Sequence, residues 1–585
     1  MLPKRWSVAP PASSDFLRQF KGIHPILAQV LINRGLNDPQ EAYNFLYTKK
    51  ITHNPFDLPD MDKAIERILQ AVKDHEPIAI YGDFDADGVT STALLVQTLN
   101  ALNADVRPYI PHRVDEGYGL NDQALQALAN DGVKLVVTVD CGIRSVEEVE
   151  AGNAAGLDII ITDHHTLGPE LPNAYAIINC KREGYPEDML AGVGVAFKLV
   201  QALVMAKKRN GNTEQPYAGI PMDELYDLVA IGTVADLVPL DRPENRAFVR
   251  RGLEVLNRAE RPGIRALLEV TGIEPGKVTT TSIAFALGPR INAAGRLDDA
   301  ILAYNLLSAS NVDEAKKWAE KLQRVNTQRQ EITRAAHDTI REELSDADDD
   351  LPLIFASHAD LIPGIVGLVA GRITEEYFRP AIIMEEGKTE SRASCRSIPQ
   401  FDITSALDQC ADLLVRHGGH ALAAGFTVKN KNIPALRKRL TKLAEDGLSG
   451  QELAPTLTID KEIDIHMLDK ELFHVLQQLE PCGKGNEQPV FIVRNAHVSD
   501  CRTVGKDDRH LRLRLSRASR PPLSAIGFGL GEWARDMPDR IDCAFRLELN
   551  EWNGKQNIQA NVIDIRQATS KQHSIKREDI RLYRI

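Results

Sequence analysis

The chain has 585 residues, too many for one hydrophobic core, and its length suggests roughly four modules. Its 43% hydrophobic and 26% charged content is that of a folded globular protein and argues against a disordered chain. A net charge of −12 with only 5% aromatics argues against an overall basic coat for duplex DNA and a broad base-stacking surface, and leaves room for a local basic groove.

The first stretch, "MLPKRWSVAPPASSDF", has no apolar core of signal-peptide length, and no run approaches the roughly 18 apolar residues of a membrane span. Seven cysteines are scattered without a Cys-x-x-Cys pair, which suits neither a disulfide framework nor a thiolate zinc site. A soluble, cytoplasmic protein is expected. Residues 1–70 are read as an N-terminal segment without an assigned role.

From about residue 75 to 240, apolar runs alternate with helical patterns: "EPIAIYGDFDADG", "VKLVVTVDCG" and "LDIIITDHH" each lead into or follow one. This predicts an α/β fold with a parallel sheet covered on both faces. Each run ends in Asp or His, and ligands bind at the carboxyl edge of such a sheet. After "GPRINAAGRLDD" (288–299) the texture changes, and no Gly or Pro interrupts Val312 to Leu351. Trp318, Leu322, Val325, Ile332, Ala336, Ile340 and Leu344 keep near-helical spacing, predicting a long connecting helix within 301–350, although a helical hairpin would give the same pattern. Residues 351–450 return to mixed α/β texture, and short strands over 455–567 predict a small β-barrel or sandwich, followed by a tail, 568–585.

Chemistry concentrates in "YGDFDADG" (81–88), where Asp83, Asp85 and Asp87 alternate directly after an apolar strand. Carboxylates this close repel, and protonation or a bound cation relieves the repulsion. An EF-hand would need Glu at the twelfth loop position, which is Leu94 here. A haloacid-dehalogenase-type nucleophile motif would leave the later histidine pair without a use. Asp140 in "TVDCG" and Asp163, His164 and His165 in "TDHH" end the next two strand candidates, and Asp236 in "GTVAD" is a further candidate ligand. A single Asp after a strand is often only an N-cap. As a set, these groups supply oxygen and imidazole without thiolate, which favours Mn²⁺ or Mg²⁺, and they suffice for two adjacent cations of the kind that serve phosphoryl chemistry.

"DFDADG", "VDCG", "TDHH" and "GTVAD" resemble the four motifs of the DHH phosphoesterases, "GPRINAAGRLDD" and "GGHALAAGF" those of the RecJ branch with its DHHA1 domain, and "LEPCGKGNEQPVF" the opening of its OB-fold. The resemblance implies a DHH catalytic domain (71–300), a connecting helix (301–350), a DHHA1 domain (351–450) and an OB-fold barrel (455–567). It implies a 5′→3′ exonuclease for single-stranded DNA in recombination and repair. It also implies a monomer, away from membranes, served by a DNA helicase and a single-strand-binding protein. On this resemblance Asp83, Asp85, Asp87, Asp140, His164 and Asp236 hold the metals, with Asp140 bridging, and His165 contacts the scissile phosphate or assists proton transfer. Arg290, Ser394 and Arg396 would grip the 5′ phosphate, with Asn292, Arg296 and His420 near the substrate path. Two departures stand out: Ile362 before Pro-Gly, where the branch carries His, and Ala393, where Gly is expected.

In "RTVGKDDRHLRLRLSRASR" (502–520), alternation of Leu511, Leu513 and Leu515 places Arg512 and Arg514 on the outer face, where a single-strand track or a merely solvated face is expected. A DHH phosphodiesterase for short oligonucleotides or dinucleotides, or a nucleic-acid-binding scaffold with a decayed site, are the alternatives. The long helix and barrel argue against the first, and the intact carboxylates argue against the second.

Overall fold

The computed structural model describes residues 2–47, 53–113, 115–209, 220, 222–345, 351–516, 522–552 and 554–568. They form two compact units, one within residues 50–453 and one combining 3–49 with 454–585. The interval 1–70 is therefore divided between the two units. Arg517, Arg520, residues 346–350 and nearly all of the expected tail lie outside the described residues.

The first unit opens on a five-stranded, all-parallel sheet of β1 (Ile78–Gly82), β2 (Val106–Tyr109), β3 (Leu135–Val139), β4 (Asp158–Asp163) and β5 (Ala176–Asn179), ordered β2-β1-β3-β4-β5. Successive side chains of β1 serve opposite cores. Ile78 and Ile80 join Val137 and Val139 beneath α1 (Ala86–Asn100), α2 (Gly192–Arg209) and α3 (Tyr226–Ala235). Ala79 and Tyr81 join Val136 and Ile161 beneath the helices Asp122–Asn130 and Val146–Ala154. Every residue of β1 and β3 is buried, which explains their unbroken apolar runs. The chain leaves β1 toward one face and β3 toward the other, so a crevice opens between their carboxyl ends.

The expected long connecting helix is α5 (Val312–Ser345), preceded by α4 (Gly288–Leu297) and a separate short helix, Ile301–Leu307. A single helix, α5 spans about 51 Å at 1.5 Å per residue. Ala315, Ala319 and Leu322 join the parallel-sheet core, while Ile340 joins Ile365, Val369 and Ile373 of α6 (Pro363–Tyr377) in another. A second sheet follows, of β6 (Ile354–His358), β7 (Ala381–Glu385), β8 (Glu390–Arg396), β9 (Leu414–His420) and β10 (Ala423–Lys429), in the order β9-β10-β8-β7-β6. Only its β6–β7 pair is parallel.

The second unit contains a closed five-stranded barrel of β11 (Phe491–Val504), β12 (His510–Ser516), β13 (Leu523–Gly527), β14 (Arg540–Trp552) and β15 (Lys555–Gln567). Closure depends on β11, whose first half pairs with β14 and whose second half pairs with β12, with a register shift between Val493 and Ala496. Leu511, Leu513 and Leu515 point into its core beside Phe20, Leu27 and Leu31 of the N-terminal segment. Trp6 ties that segment to the barrel by donating to Asp564 at 2.6 Å. No helix among the described residues is long and apolar enough to cross a membrane.

Candidate metal centre

Three loops at the carboxyl edge of the parallel sheet, together with the end of α3, bring the acidic residues together. Gly88 lets the first turn of α1 fold back on β1, because a Cβ there would lie 2.5 Å from the Asp83 carbonyl oxygen. Asp85 is the N-cap of α1 and accepts from the Asp87 and Gly88 amides at 2.9 and 3.1 Å. Asp87 accepts from Gly192 and Val193 at 2.7 and 2.8 Å, at the start of α2. Asp140 follows β3 with a left-handed φ of 61°. Its carboxylate lies so close to Gly192 that a Cβ there would meet Oδ1 at 2.7 Å. Asp236 closes α3, and His164 follows β4.

The aspartate triplet is split between two neighbouring ligand sets. Asp83 and Asp85 form one set with Asp140, and Asp87 forms another with His164 and Asp236; in each, the candidate ligand atoms lie within 4.8 Å of one another. Asp140 also groups with His164 and His165, so it stands between the sets. His164 Nε2 is 3.1 Å from Asp140 Oδ1, 3.6 Å from Asp236 Oδ2 and 3.9 Å from Asp87 Oδ2. Asp163 has a different place from the one its motif suggested. Its oxygens accept from the amides of His164, His165 and Ile143 and meet His165 Nδ1 at 2.8 Å, so it orients the pair of histidines.

Burial, and then their neighbours' negative charge, push the Asp83, Asp87 and Asp140 carboxyls well above the usual range. The same causes, burial and then Asp85, push Asp236 up to about 7. Asp83 Oδ1, Asp140 Oδ1 and His164 Nε2 are buried with no hydrogen-bond partner among the described residues; the 3.1 Å approach of the last two lacks hydrogen-bond alignment. Buried polar atoms are ordinarily satisfied, and three orphaned donor atoms converging here fit a divalent cation. Burial and then the charge of His165 lower His164 to about 4, which leaves the neutral imidazole that a metal ligand needs. Burial opposes charge on His165, but its hydrogen bond to Asp163 prevails and raises it. The adjacent imidazoles are thus pushed in opposite directions.

A group of arginines lies on the side of the second sheet. Arg396 on β8 donates to Ser394 Oγ at 3.0 Å, beside α6, where a Cβ on Gly367 would stand 3.0 Å from Arg396 Nη2. Arg290 on α4 donates to Gln323 of α5 and to the Ala286 carbonyl, both at 2.7 Å. Arg296 donates to the Gly364 carbonyl at 3.0 Å, and burial followed by the charges of Arg113, Arg329 and Arg396 lowers it to about 10. Asn292 accepts from the Ala86 amide at 2.6 Å, so it fastens the aspartate loop to α4. The small residues of "NAAGR" allow that approach, since a Cβ on Gly295 would lie 2.4 Å from the Phe84 carbonyl oxygen. Ile362 is the N-cap of α6 without a side-chain cap, Ala393 is buried, and His420 is exposed in the β9–β10 hairpin. In the barrel, Arg512 and Arg514 line a cavity of about 1200 Å³.

Two residues escape the sequence patterns. Arg113 stacks over Phe84 with its guanidinium 4.6 Å from the ring centroid and feels the charges of Asp83 and Asp85. The Tyr118 hydroxyl stands 3.3 Å from His165 Nδ1. Both lie on the loop after β2, where only the carboxyl-edge rule could have pointed to them.

Residues 77–233 match the DHH family, N-terminal domain, residues 350–446 the DHHA1 domain and residues 459–564 the RecJ OB domain. Single-stranded-DNA-specific exonuclease RecJ of Escherichia coli is 34% identical, over 92% of this chain and 96% of that protein. The crystal structure of RecJ in complex with Mn²⁺ from Thermus thermophilus superposes with a TM-score of 0.82 at 30% identity, over 98% of this chain and 81% of that one. RecJ of Bacillus subtilis is 37% identical over 96% of this chain and 70% of its own length. At that identity and coverage, on a sheet whose carboxyl edge collects the DHH motif residues, the chain belongs to the RecJ family of DHH proteins.

Proposed function

We propose that the protein is a metal-dependent 5′→3′ exonuclease of single-stranded DNA, acting in recombination and repair. The observation that carries this reading is the two neighbouring ligand sets with Asp140 standing between them, and three orphaned buried donor atoms. Asp83, Asp85 and Asp140 would hold one Mn²⁺ or Mg²⁺, and Asp87, His164 and Asp236, beside Asp140, the other. Bound there, the cations supply an activated water and stabilise charge on the attacked phosphorus. Asp163 orients the His165 imidazole and favours its charged form, which suits His165 to donate a hydrogen bond to a phosphate oxygen. Arg113, placed beside Asp83 and Asp85, adds a guanidinium to that phosphate.

The labour divides along the chain. Residues 71–300 cut, the Arg290, Ser394 and Arg396 group grips the 5′ phosphate, and the barrel holds the strand through Arg512 and Arg514. The protein works as a monomer in the cytoplasm, where unpaired cysteines such as Cys141 and Cys180 persist, on strands exposed by a helicase and a single-strand-binding protein. The test is incubation with Mn²⁺ and end-labelled single strands. Mononucleotides released from the 5′ end are expected, and release from the 3′ end refutes the reading. In the same assay Arg396→Ala should weaken preference for 5′-phosphate over 5′-hydroxyl ends by about ten- to a hundred-fold, since a charge-assisted contact contributes about 1.5–3 kcal/mol. An unchanged ratio removes Arg396 from the pocket.

The barrel is tested by salt. Each phosphate contact to a single strand contributes about 0.7 to the slope of log affinity against log salt. Replacing Arg512 and Arg514 with alanine should flatten that slope by at most about 1.4, and weaken long strands more than short ones. An identical slope would mean that this face is only solvated.

A further inference from the structure

Two large apolar side chains beside the metal centre are exposed where folding does not require them. Leu237, next to the ligand candidate Asp236, is 65% exposed and holds a left-handed φ of 59°. A branched residue is unfavourable in that region, where Gly or Asn is the usual occupant. Phe285 is 80% exposed in a single π-helical turn, Ile283–Leu287, between the short helix Thr280–Ser282 and α4. Such turns recur at functional sites. The two positions are close. Gly288, three residues after Phe285, approaches α3 so nearly that its Cβ would be 3.5 Å from that of Ala235, two residues before Leu237. Next to Phe285 in the chain, the Ala286 carbonyl oxygen accepts from Arg290. Two exposed apolar side chains therefore form a rim on the end of α3 that carries the candidate metal ligand Asp236 and on the turn that leads into α4.

We propose that Leu237 and Phe285 contact the faces of the bases nearest the 5′ end, and so select an unpaired strand. This rests on the exonuclease reading. A phosphodiester drawn to the metal centre with its 5′ phosphate toward Arg290 carries its bases past this rim. Base faces are apolar, and they are available only when the strand is unstacked, because in a duplex each is covered by its neighbours. The rim thus adds a selection that phosphate contacts alone do not make.

The test uses full-length protein with Mn²⁺ and 5′-phosphorylated single strands, intact or carrying one abasic residue at the first, second or third nucleotide. For the wild type, kcat/KM should fall by about ten-fold at one or more of these positions, within the range of base stacking on protein side chains. In the double variant Leu237→Asn, Phe285→Ser that cost should shrink to within about two-fold, the signature of coupling between base and rim. Asparagine tolerates the left-handed backbone, and both side chains are exposed, so the fold is retained; circular dichroism checks it. The proposal is overturned if no abasic position slows the wild type, or if the variant pays the full cost. Failure of the wild type to cut intact strands overturns the exonuclease reading itself, and the rim with it.

Discussion

Asp140→Asn is expected to abolish strand cutting while leaving the protein folded and able to bind a 5′-phosphorylated strand. Asp140 stands between the two ligand sets, and its Oδ1 is among the orphaned buried atoms. If its carboxylate serves both cations, taking it away should remove at least about 4 kcal/mol of transition-state stabilisation, or about a thousand-fold in rate. The amide has nearly the same shape, so contact with Gly192 is preserved. Burial and the charges of Asp87, Asp85 and Asp83 disfavour the Asp140 carboxylate, so the metal-free variant should melt higher than the metal-free wild type. Quenched-flow or gel assays in saturating Mn²⁺ measure the rate, and anisotropy measures the binding. Turnover within ten-fold of wild type would remove Asp140 from its shared position.

Lys198→Met should produce the largest loss of stability of any single change considered. Lys198 lies on α2, six residues after Gly192, whose amide donates to Asp87. Its ammonium and the Glu244 carboxylate are 2.8 Å apart with both side chains fully buried. The ammonium also donates to the His53 carbonyl at 2.7 Å, and the Tyr185 hydroxyl donates to Glu244 at 2.5 Å. Burial pulls Lys198 below its ordinary value, with Glu244 opposing. Removing the lysine leaves the buried Glu244 without its cation, at a cost of about 3–5 kcal/mol. The double replacement Lys198→Met, Glu244→Leu should restore much of it, since an apolar pair of similar volume is often neutral. Urea unfolding followed by the first unit's signal reads both. A single variant within 1 kcal/mol of wild type, on the scale of an exposed pair, would show that water reaches the site.

The strand runs were legible because burial on both faces of a parallel sheet demands apolar residues at every position, as in "IAIYG" and "LVVTV". The polar residues that end them marked the carboxyl edge; the triplet could be picked out by charge repulsion, and Asp140 and the histidines by their places at the ends of the next strands. The long helix was legible from spacing, but whether it was one helix or a hairpin was not. That was decided by packing, since its two ends lie in different cores. Barrel and sandwich share one strand pattern, and only the two pairings of β11 distinguish them. The grouping of the ligands also needed the fold. Alternation suggested that Asp83, Asp85 and Asp87 act together, yet Asp85 caps α1 while Asp87 lies inside its first turn, so their carboxylates diverge to different sets. Asp163 sits in the motif as a ligand would, but the amides and imidazole around it consume its lone pairs. Arg113, Tyr118, Leu237 and Phe285 left no mark in the sequence, because a single arginine or exposed apolar residue has no period. By itself the sequence determined which residue types meet at the sheet's carboxyl edge, because that follows from local periodicity and charge. Which carboxylate serves which set, and what surrounds them, was decided only by tertiary structure, because those distances join segments remote along the chain.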